Sequence, residues 1–352
     1  MTIRENMMTY LYPRIPEADL LVVGGDIFDT SLGLSEDHAN VIISVFIEIL
    51  RLAHQHGVTV QILRGTYSHD RNQCKIFETL YKKGHYTNSF KYVDILSCEY
   101  IESLDLKVLY IPDDLPYKSS ESCLDAIHKL LNDMNWAKFD YVFLHGYFRH
   151  RLPERIPRLP KCTFTIEQFK DIVSRYVVCA HVHTGDITEN VIYNGSFERL
   201  AHGEEEPKGY IFITDDRKHA KIEFVENKHA TKFMTLDLSR YVEIDDAVSA
   251  YRKYLDGYKK EPIVHIRIAH PSSEVRTLLA RITKQFYQNA SFSIKADKDH
   301  QQTTLRAKDL IELSNENPPT EETLPNLVHT FVVDSGEAGL SLEIIQDLLD
   351  QL

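Results

Sequence analysis

The 352-residue sequence contains no C-x-x-C pair. Its five cysteines, at positions 74, 98, 123, 162 and 179, are odd in number and scattered. That excludes a disulfide framework and suits buried thiols in a reducing compartment. No apolar run approaches the ~20 residues of a membrane span, and the start "MTIRENMMTYLYPRIPEAD" lacks the apolar core of a signal peptide. Internal repeats and low-complexity segments are absent too. Positive charge is in short supply: 40 Lys and Arg face 52 Asp and Glu, a formal net charge of −12. A general nucleic-acid coat is normally basic, so that class is excluded. With 43% hydrophobic and 26% charged residues, the composition is that of an ordinary globular protein, expected in the cytoplasm. The length allows one large domain and a smaller one.

Apolar patterning supplies the elements. "LLVVGGDIFDT" (20–30) is a branched apolar run closed by two glycines and an acid, which reads as a buried parallel strand. Before it, residues 3–14 have an amphipathic pattern stopped by Pro13 and Pro16. "EDHANVIISVFIEILRLAHQHG" (36–57) spaces Val41, Ile42, Val45, Phe46, Ile49 and Leu50 for a helix ended by Gly57. "VTVQILRG" (58–65) closes a βαβ unit. A helix over about 71–83, strands near 90–96, 99–103 and 106–111, and a helix over 121–134 follow. "YVFLHGYF" (141–148) and "YVVCAHVHTG" (176–185) are two further buried strands carrying histidines at their ends. Shorter strands come next. Parallel strands first and antiparallel strands later predict a two-sheet α/β sandwich. Residues 231–300 read as a small βαβ-containing domain, with strands over 261–270 and 290–297 flanking a helix over 273–287. Beyond it, "SNENPPTEETLP" (314–325) is a linker. "LSLEIIQDLLDQL" (340–352) is an amphipathic helix with Leu342, Ile345, Leu348, Leu349 and Leu352 on one stripe.

Each polar cluster of the first 200 residues lies at the C-terminal end of a predicted strand, the rim where α/β proteins place their chemistry. Asp26 follows the first strand, with Asp29 close by. Ser68, His69 and Asp70 follow the second, and His145 ends a third. His181 and His183 are two apart, so an extended backbone would put them on one face. Carboxylate and imidazole groups converging on one rim predict a binuclear transition-metal site for Mn, Fe or Zn. Such a metal pair activates a bridging water toward a phosphodiester. A single histidine at a strand end is more often a hydrogen-bonded surface group. Four clusters at four strand ends favour the metal site.

In order, "GGDIFD", "GTYSHD", "LHG" and "AHVH" resemble the blocks of the calcineurin-like metallophosphoesterases. "YNGSFERLAHGEEEPKGY" (193–210) narrows the resemblance to SbcD-type double-strand-break-repair nucleases. It covers nearly the whole chain and is strongest over 20–240. The implied fold is a two-sheet α/β/β/α metallophosphoesterase sandwich over 1–230, a small α+β cap over 231–300, and a C-terminal helical tail over 301–352. The implied activity is exo- or endonucleolytic cleavage of DNA ends or hairpins with two divalent ions, Mn²⁺ by preference. Metals would bring positive charge to DNA in an acidic chain.

Residue by residue, the resemblance makes Asp26 the bridge between metals. His145 and His181 would hold the second metal and His183 the first. His69 would be the uncoordinated acid, oriented by Asp70. Two departures concern this set. Ser68 stands where the family has an asparagine ligand, and Ala180 stands where it has a glycine.

A larger departure is the family's opening Asp-x-His strand, which nothing before residue 20 matches. Three expectations follow: that strand lies upstream, or the first metal is lost and the chain is a catalytically silent scaffold, or Asp29 or a partner's group completes the site. The resemblance also implies a homodimer through the helices over 36–56 and 71–83, with packing on the sheet as the alternative. It implies docking of residues 340–352 on an SbcC-type, SMC-like ATPase, a helix-in-groove contact. "RHRLPERIPRLPK" (149–161) offers Arg149, Arg151, Arg155, Arg158 and Lys161 to a DNA backbone, unless it is only a solvated loop. A phosphodiesterase of small nucleotides is a third function class, disfavoured by the cap and the tail.

Overall fold

The computed structural model describes residues 3–28, 30, 32, 37–152, 162–238, 240, 241, 243–257, 264–269, 275, 277–279, 281, 282 and 291–295. The chain is mixed α/β and divides into two compact units, Met1–Phe233 and Met234–Leu352.

In the first unit, α1 (Ile3–Tyr10) ends three residues before Pro13, which sits in the first turn of a 3-10 segment, Tyr12–Glu17. Strand β1 (Leu20–Val23) then pairs in parallel with β2 (Thr59–Leu63), and β2 with β3 (Phe90–Val93). Every residue of the central β2 is buried, the polar Thr59 and Gln61 included, as a strand paired on both edges and covered on both faces requires. Between β1 and β2, α2 (Asp37–His56) buries Val45, Phe46, Ile49, Leu50 and Ala53, one helical stripe, against this sheet. Gly57 stops the helix at φ 72°, a left-handed position that costs glycine nothing. Helix α3 (Lys75–Lys83) adds Phe77, whose ring lies 4.2 Å from Phe46.

A six-stranded sheet follows. It contains β4 (Ser97–Ile101), β5 (Leu106–Ile111), β6 (Phe139–His145), β9 (Val173–Ala180), β10 (Asp186–Thr188) and β11 (Val191–Tyr193), in the order β10-β11-β9-β6-β5-β4. The inner pairs are parallel and the two outer pairs antiparallel. Helices α4 (Ser120–Asp133) and α5 (Ile166–Lys170) each start at a capping box, Ser119 with Ser122 and Thr165 with Gln168. Their apolar residues join Phe139, Phe148, Phe164 and Tyr193 in one core. Two short strands, β7 (Tyr147–Phe148) and β8 (Thr163–Phe164), flank the stretch 153–161, which is outside the described residues. The hairpin β12 (Gly209–Asp215) and β13 (Ala220–Glu226) completes the unit.

The two sheets meet through Leu63 and Val93 of one and Val108 and Tyr110 of the other, all buried in a common cluster. A polar link crosses the same interface: Gln61 and Tyr110 each donate to Glu99, at 2.8 Å. The C-terminal ends of β1, β2, β6 and β9 are thereby brought together.

Strand β14 (Lys232–Asp237), which begins the second unit at its third residue, forms a sheet with β15 (Val264–Ala269) and β16 (Ser291–Lys295) in that order, with β15 and β16 parallel. Helix α6 (Ile244–Gly257) buries Ala247 and Tyr251 with Leu236, Val275 and Leu279. Residues 301–352, with the expected linker and terminal helix, lie outside the described residues.

Helix α3 begins at Lys75 rather than near 71. Arg71 has a left-handed φ of 44°, and the turns before it are organised around Asp70. The fully buried Phe77, stacked between Phe46 and Phe28, is the keystone of the helical layer. Phe77→Ala is expected to cost about 3–5 kcal/mol, whereas Ile47→Ala on the exposed side of α2 stays within about 0.5 kcal/mol. Urea midpoints followed by circular dichroism measure both, and equal midpoints would contradict this packing.

Candidate functional site

The chain after β1 turns sharply. Gly25 has φ 98° and Asp26 φ 53°. What holds this turn is Asp70, fully buried, whose carboxylate accepts four backbone N–H groups. Oδ2 takes Asp26 at 2.8 Å and Gly65 at 2.9 Å, and Oδ1 takes Ile27 at 2.9 Å and Phe28 at 3.1 Å. The approach is so close that a Cβ on Gly65 would stand 2.1 Å from the Asp26 nitrogen. Only glycine fits there. Asp70 thus acts on the Asp26 loop, a role the sequence did not suggest.

Asp26 Oδ2 lies 3.2 Å from His145 Nε2 and 3.6 Å from His181 Nδ1, and the two nitrogens are 3.0 Å apart. A fourth atom joins them. Thr66 Oγ1 is 3.3 Å from Asp26 Oδ2, 3.3 Å from His145 Nε2 and 3.2 Å from His181 Nδ1. All six separations are alike, so the atoms stand at the corners of a near-regular tetrahedron. Its centre is about 2.0 Å from each corner, the usual transition-metal bond length to nitrogen and oxygen ligands. Asp26, Thr66, His145 and His181 could therefore hold one cation. Among the described residues, Asp26, His145 and His181 are the one cluster of three such His, Cys, Asp or Glu donors.

Surrounding groups aim these donors. His145 Nδ1 donates to the Gly24 carbonyl at 2.6 Å, so the proton of the neutral ring sits on Nδ1 and the Nε2 lone pair faces the cluster. Tyr147 packs edge-on against His181, with ring centroids 4.4 Å apart. Gly24 leaves room for the Ala180 methyl, since a Cβ on Gly24 would meet it at 2.4 Å. His181 itself takes φ 82°, so two of the three clustered residues occupy a costly backbone region, as functional sites often do.

Electrostatics follow from the convergence. Burial pushes the Asp26 carboxyl up, but hydrogen bonds from His145 and His181 outweigh it and hold the group far below the ordinary carboxylate range. Burial pushes His145 down, and the hydrogen bond and charge of Asp26 raise it above its ordinary value.

The remaining expected residues lie as follows. Strand β9 ends at Ala180 and the chain turns at His181, so the two histidines do not share one extended face. His183 Nδ1 instead lies 2.6 Å from Glu204 Oε1. Ser68 is exposed and His69 half-buried, on the turn after β2. The hydroxyl that reaches the cluster is Thr66's. Arg149 is exposed, while Arg151 is engaged by its own fold: it donates to the Thr184 carbonyl at 3.2 Å, lies 3.7 Å from Asp186 and covers the Tyr193 ring. Arg155, Arg158, Lys161 and Asp29 lie outside the described residues. Sequence reasoning missed Thr66 and Glu204. The glycine before Thr66 was the available signal for the first, and the acidic run 204–206 for the second.

No protein-family model matches the chain, and no curated protein matches it.

Two outcomes follow for the metal-free chain. His181→Gly should be about 1 kcal/mol more stable than His181→Ala, because glycine carries no left-handed penalty. Equal thermal stability of the two would remove the argument from strain. Asp26's contribution is present above its unfolded pKa of about 3.9 and lost as pH falls through its depressed folded value. His145's contribution is present below about pH 6.5 and lost as pH rises through its raised folded value. Stability should therefore decline on both sides of that window, and Asp26→Asn should flatten both arms of the thermal-midpoint profile.

Proposed function

We propose that the chain is a metal-dependent phosphodiesterase acting on DNA, of the calcineurin-like, SbcD-type nuclease kind. One observation carries the reading: four donor atoms from four separate strand ends, all within 3.6 Å of one another, at the separations a single divalent ion requires. The order of the motif blocks supports it, as do two sheets in contact with helices packed on them, which fit a metallophosphoesterase sandwich.

In this reading Asp26, Thr66, His145 and His181 hold the ion. A carboxylate, a hydroxyl and two imidazoles suit Mn²⁺. When bound, the ion supplies Lewis acidity to a phosphoryl oxygen and acidity to a water. His69, on the turn fixed by Asp70, gives a proton to the leaving oxygen. Arg149 with Arg155, Arg158 and Lys161 contacts phosphates, and Arg151 braces the His183–Gly185 turn. His183 is the described histidine left to serve a second ion. Pairing of two copies through α2, which leaves Val41 and Ile47 exposed, and recruitment of an SbcC-type ATPase through 340–352 belong to the same proposal.

A catalytically silent scaffold is the second reading. It is favoured by the single donor cluster among the described residues, where two were expected.

The test is Mn²⁺-dependent cleavage of an end-labelled duplex, with metal affinity measured alongside by calorimetry. His145→Ala should lose metal binding and cleavage together. His69→Ala should keep the metal and lower kcat by about 10²–10⁴-fold. A parental chain that binds Mn²⁺ and leaves duplex, hairpin and single-stranded DNA intact would overturn the nuclease reading in favour of the scaffold.

A further inference from the structure

The stretch "SFERLAHGEEEPK" (196–208) has no part in the donor tetrahedron, yet it is built around one histidine. The His183 carbonyl accepts Lys208 Nζ at 2.9 Å and the Ser196 N–H at 3.1 Å. Its ring Nδ1 meets Glu204 Oε1 at 2.6 Å. The other Glu204 oxygen accepts the Leu200 N–H at 3.2 Å and lies 3.3 Å from Lys208 Nζ. Lys208 also donates to Glu206 at 2.8 Å, and Glu206 accepts the Thr184 hydroxyl at 3.0 Å. Arg199 closes the arrangement by donating to the backbone carbonyls of Glu205 and Glu206.

Burial separates this from a chance surface pair. The Lys208 side chain is 0% exposed and Glu204 17%, while the His183 ring is 40% exposed. A lysine is not buried without compensating anions. Here Glu204 and Glu206 both compensate it, and the charge keeps Glu204 an ionised acceptor. A carboxylate can only accept, so the proton of a neutral His183 belongs on Nδ1. The open side of the ring is then the Nε2 lone pair.

We infer that Glu204, anchored by Lys208, is a positioning residue that fixes His183 as its Nδ1–H tautomer and presents Nε2 as a ready donor to a divalent cation. The inference takes from the proposed function only that His183 serves the site. A histidine whose other nitrogen is held by a carboxylate is more basic and already oriented, which strengthens metal binding.

The tautomer can be read in the intact, metal-free chain by long-range ¹H–¹⁵N correlation of the imidazoles above their titration range. His183→Asn identifies the signal among the 17 histidines. The expected result is an Nδ1–H pattern for His183. Glu204→Ala should shift it to the Nε2–H form that solvent-exposed imidazoles prefer, and weaken Mn²⁺ binding by about 10–100-fold. Glu204→Gln, whose carbonyl still accepts the Nδ1 proton, should keep the tautomer and most of the affinity. An Nε2–H pattern in the wild-type chain overturns the inference, and that measurement requires no variant to fold. So does a Glu204→Ala chain with an unchanged tautomer. A wild-type Nδ1–H tautomer without DNA cleavage would retire the nuclease reading alone, and cleavage by a chain with Nε2–H His183 would retire this inference alone.

Discussion

The site depends first on one carboxylate that takes no place among its donors. Asp70 is fully buried and accepts N–H groups from Asp26, Ile27, Phe28 and Gly65. Hydrogen bonds to an ionised acceptor are about twice as strong as neutral ones. Four of them offset the desolvation of a buried charge, which an unbonded carboxylate could not do. Their geometric effect is to tie the end of β1 to the end of β2. With Gly65 bearing no side chain, the two backbones close to contact, and the Thr66 N–H then reaches Asp26 Oδ1 at 2.6 Å. Asp26 and Thr66 are thus placed as a pair.

That pair belongs to one sheet and the two imidazoles to the other. The donor set exists because the sheets are joined beneath it by Leu63, Val93, Val108 and Tyr110, and by Glu99 accepting from both sides. Convergence is costly. A carboxylate and two nitrogen lone pairs within 3.6 Å repel one another unless a cation or shared protons lie between them. Asp26 and His181 add left-handed backbone to that cost. Stability given up at such a rim, over a well-packed core, is what a binding task commonly costs, in keeping with the proposed function.

Part of this was legible in the sequence. Long apolar runs ending in glycine or histidine marked β1, β2, β6 and β9, and the residues at their ends included Asp26, His145 and His181. Turn chemistry was less legible. The stretch "GTYSHD" contains three hydroxyls, and nothing local says that the chain turns so as to bring in Thr66 and expose Tyr67 and Ser68. The choice is made by Asp70 through the amides of Asp26, Ile27 and Phe28, 42 to 44 residues away. In the same way, Arg151 reads as a free cation in a basic run. Its partners, the Thr184 carbonyl and Asp186, lie more than 30 residues downstream. Helix α3 started late for the same reason, because the turns before it serve the loop of another strand.

The pair His181 and His183 carries the argument furthest. Spacing alone gives histidines two apart a common face only on an extended backbone. A single residue in the left-handed region, His181 at φ 82°, breaks that rule. One imidazole then faces Asp26 and His145, and the other faces Glu204. Two of the three rings have one nitrogen held by a fixed acceptor, Gly24 O for His145 Nδ1 and Glu204 for His183 Nδ1. The left-handed His181 thus divides two histidines, two residues apart, between two environments, one beside Asp26 and His145 and one beside Glu204. The strain at His181 and the buried Lys208–Glu204 anchor both hold that division in place. Both follow at once if the two histidines serve neighbouring positions on one bound group.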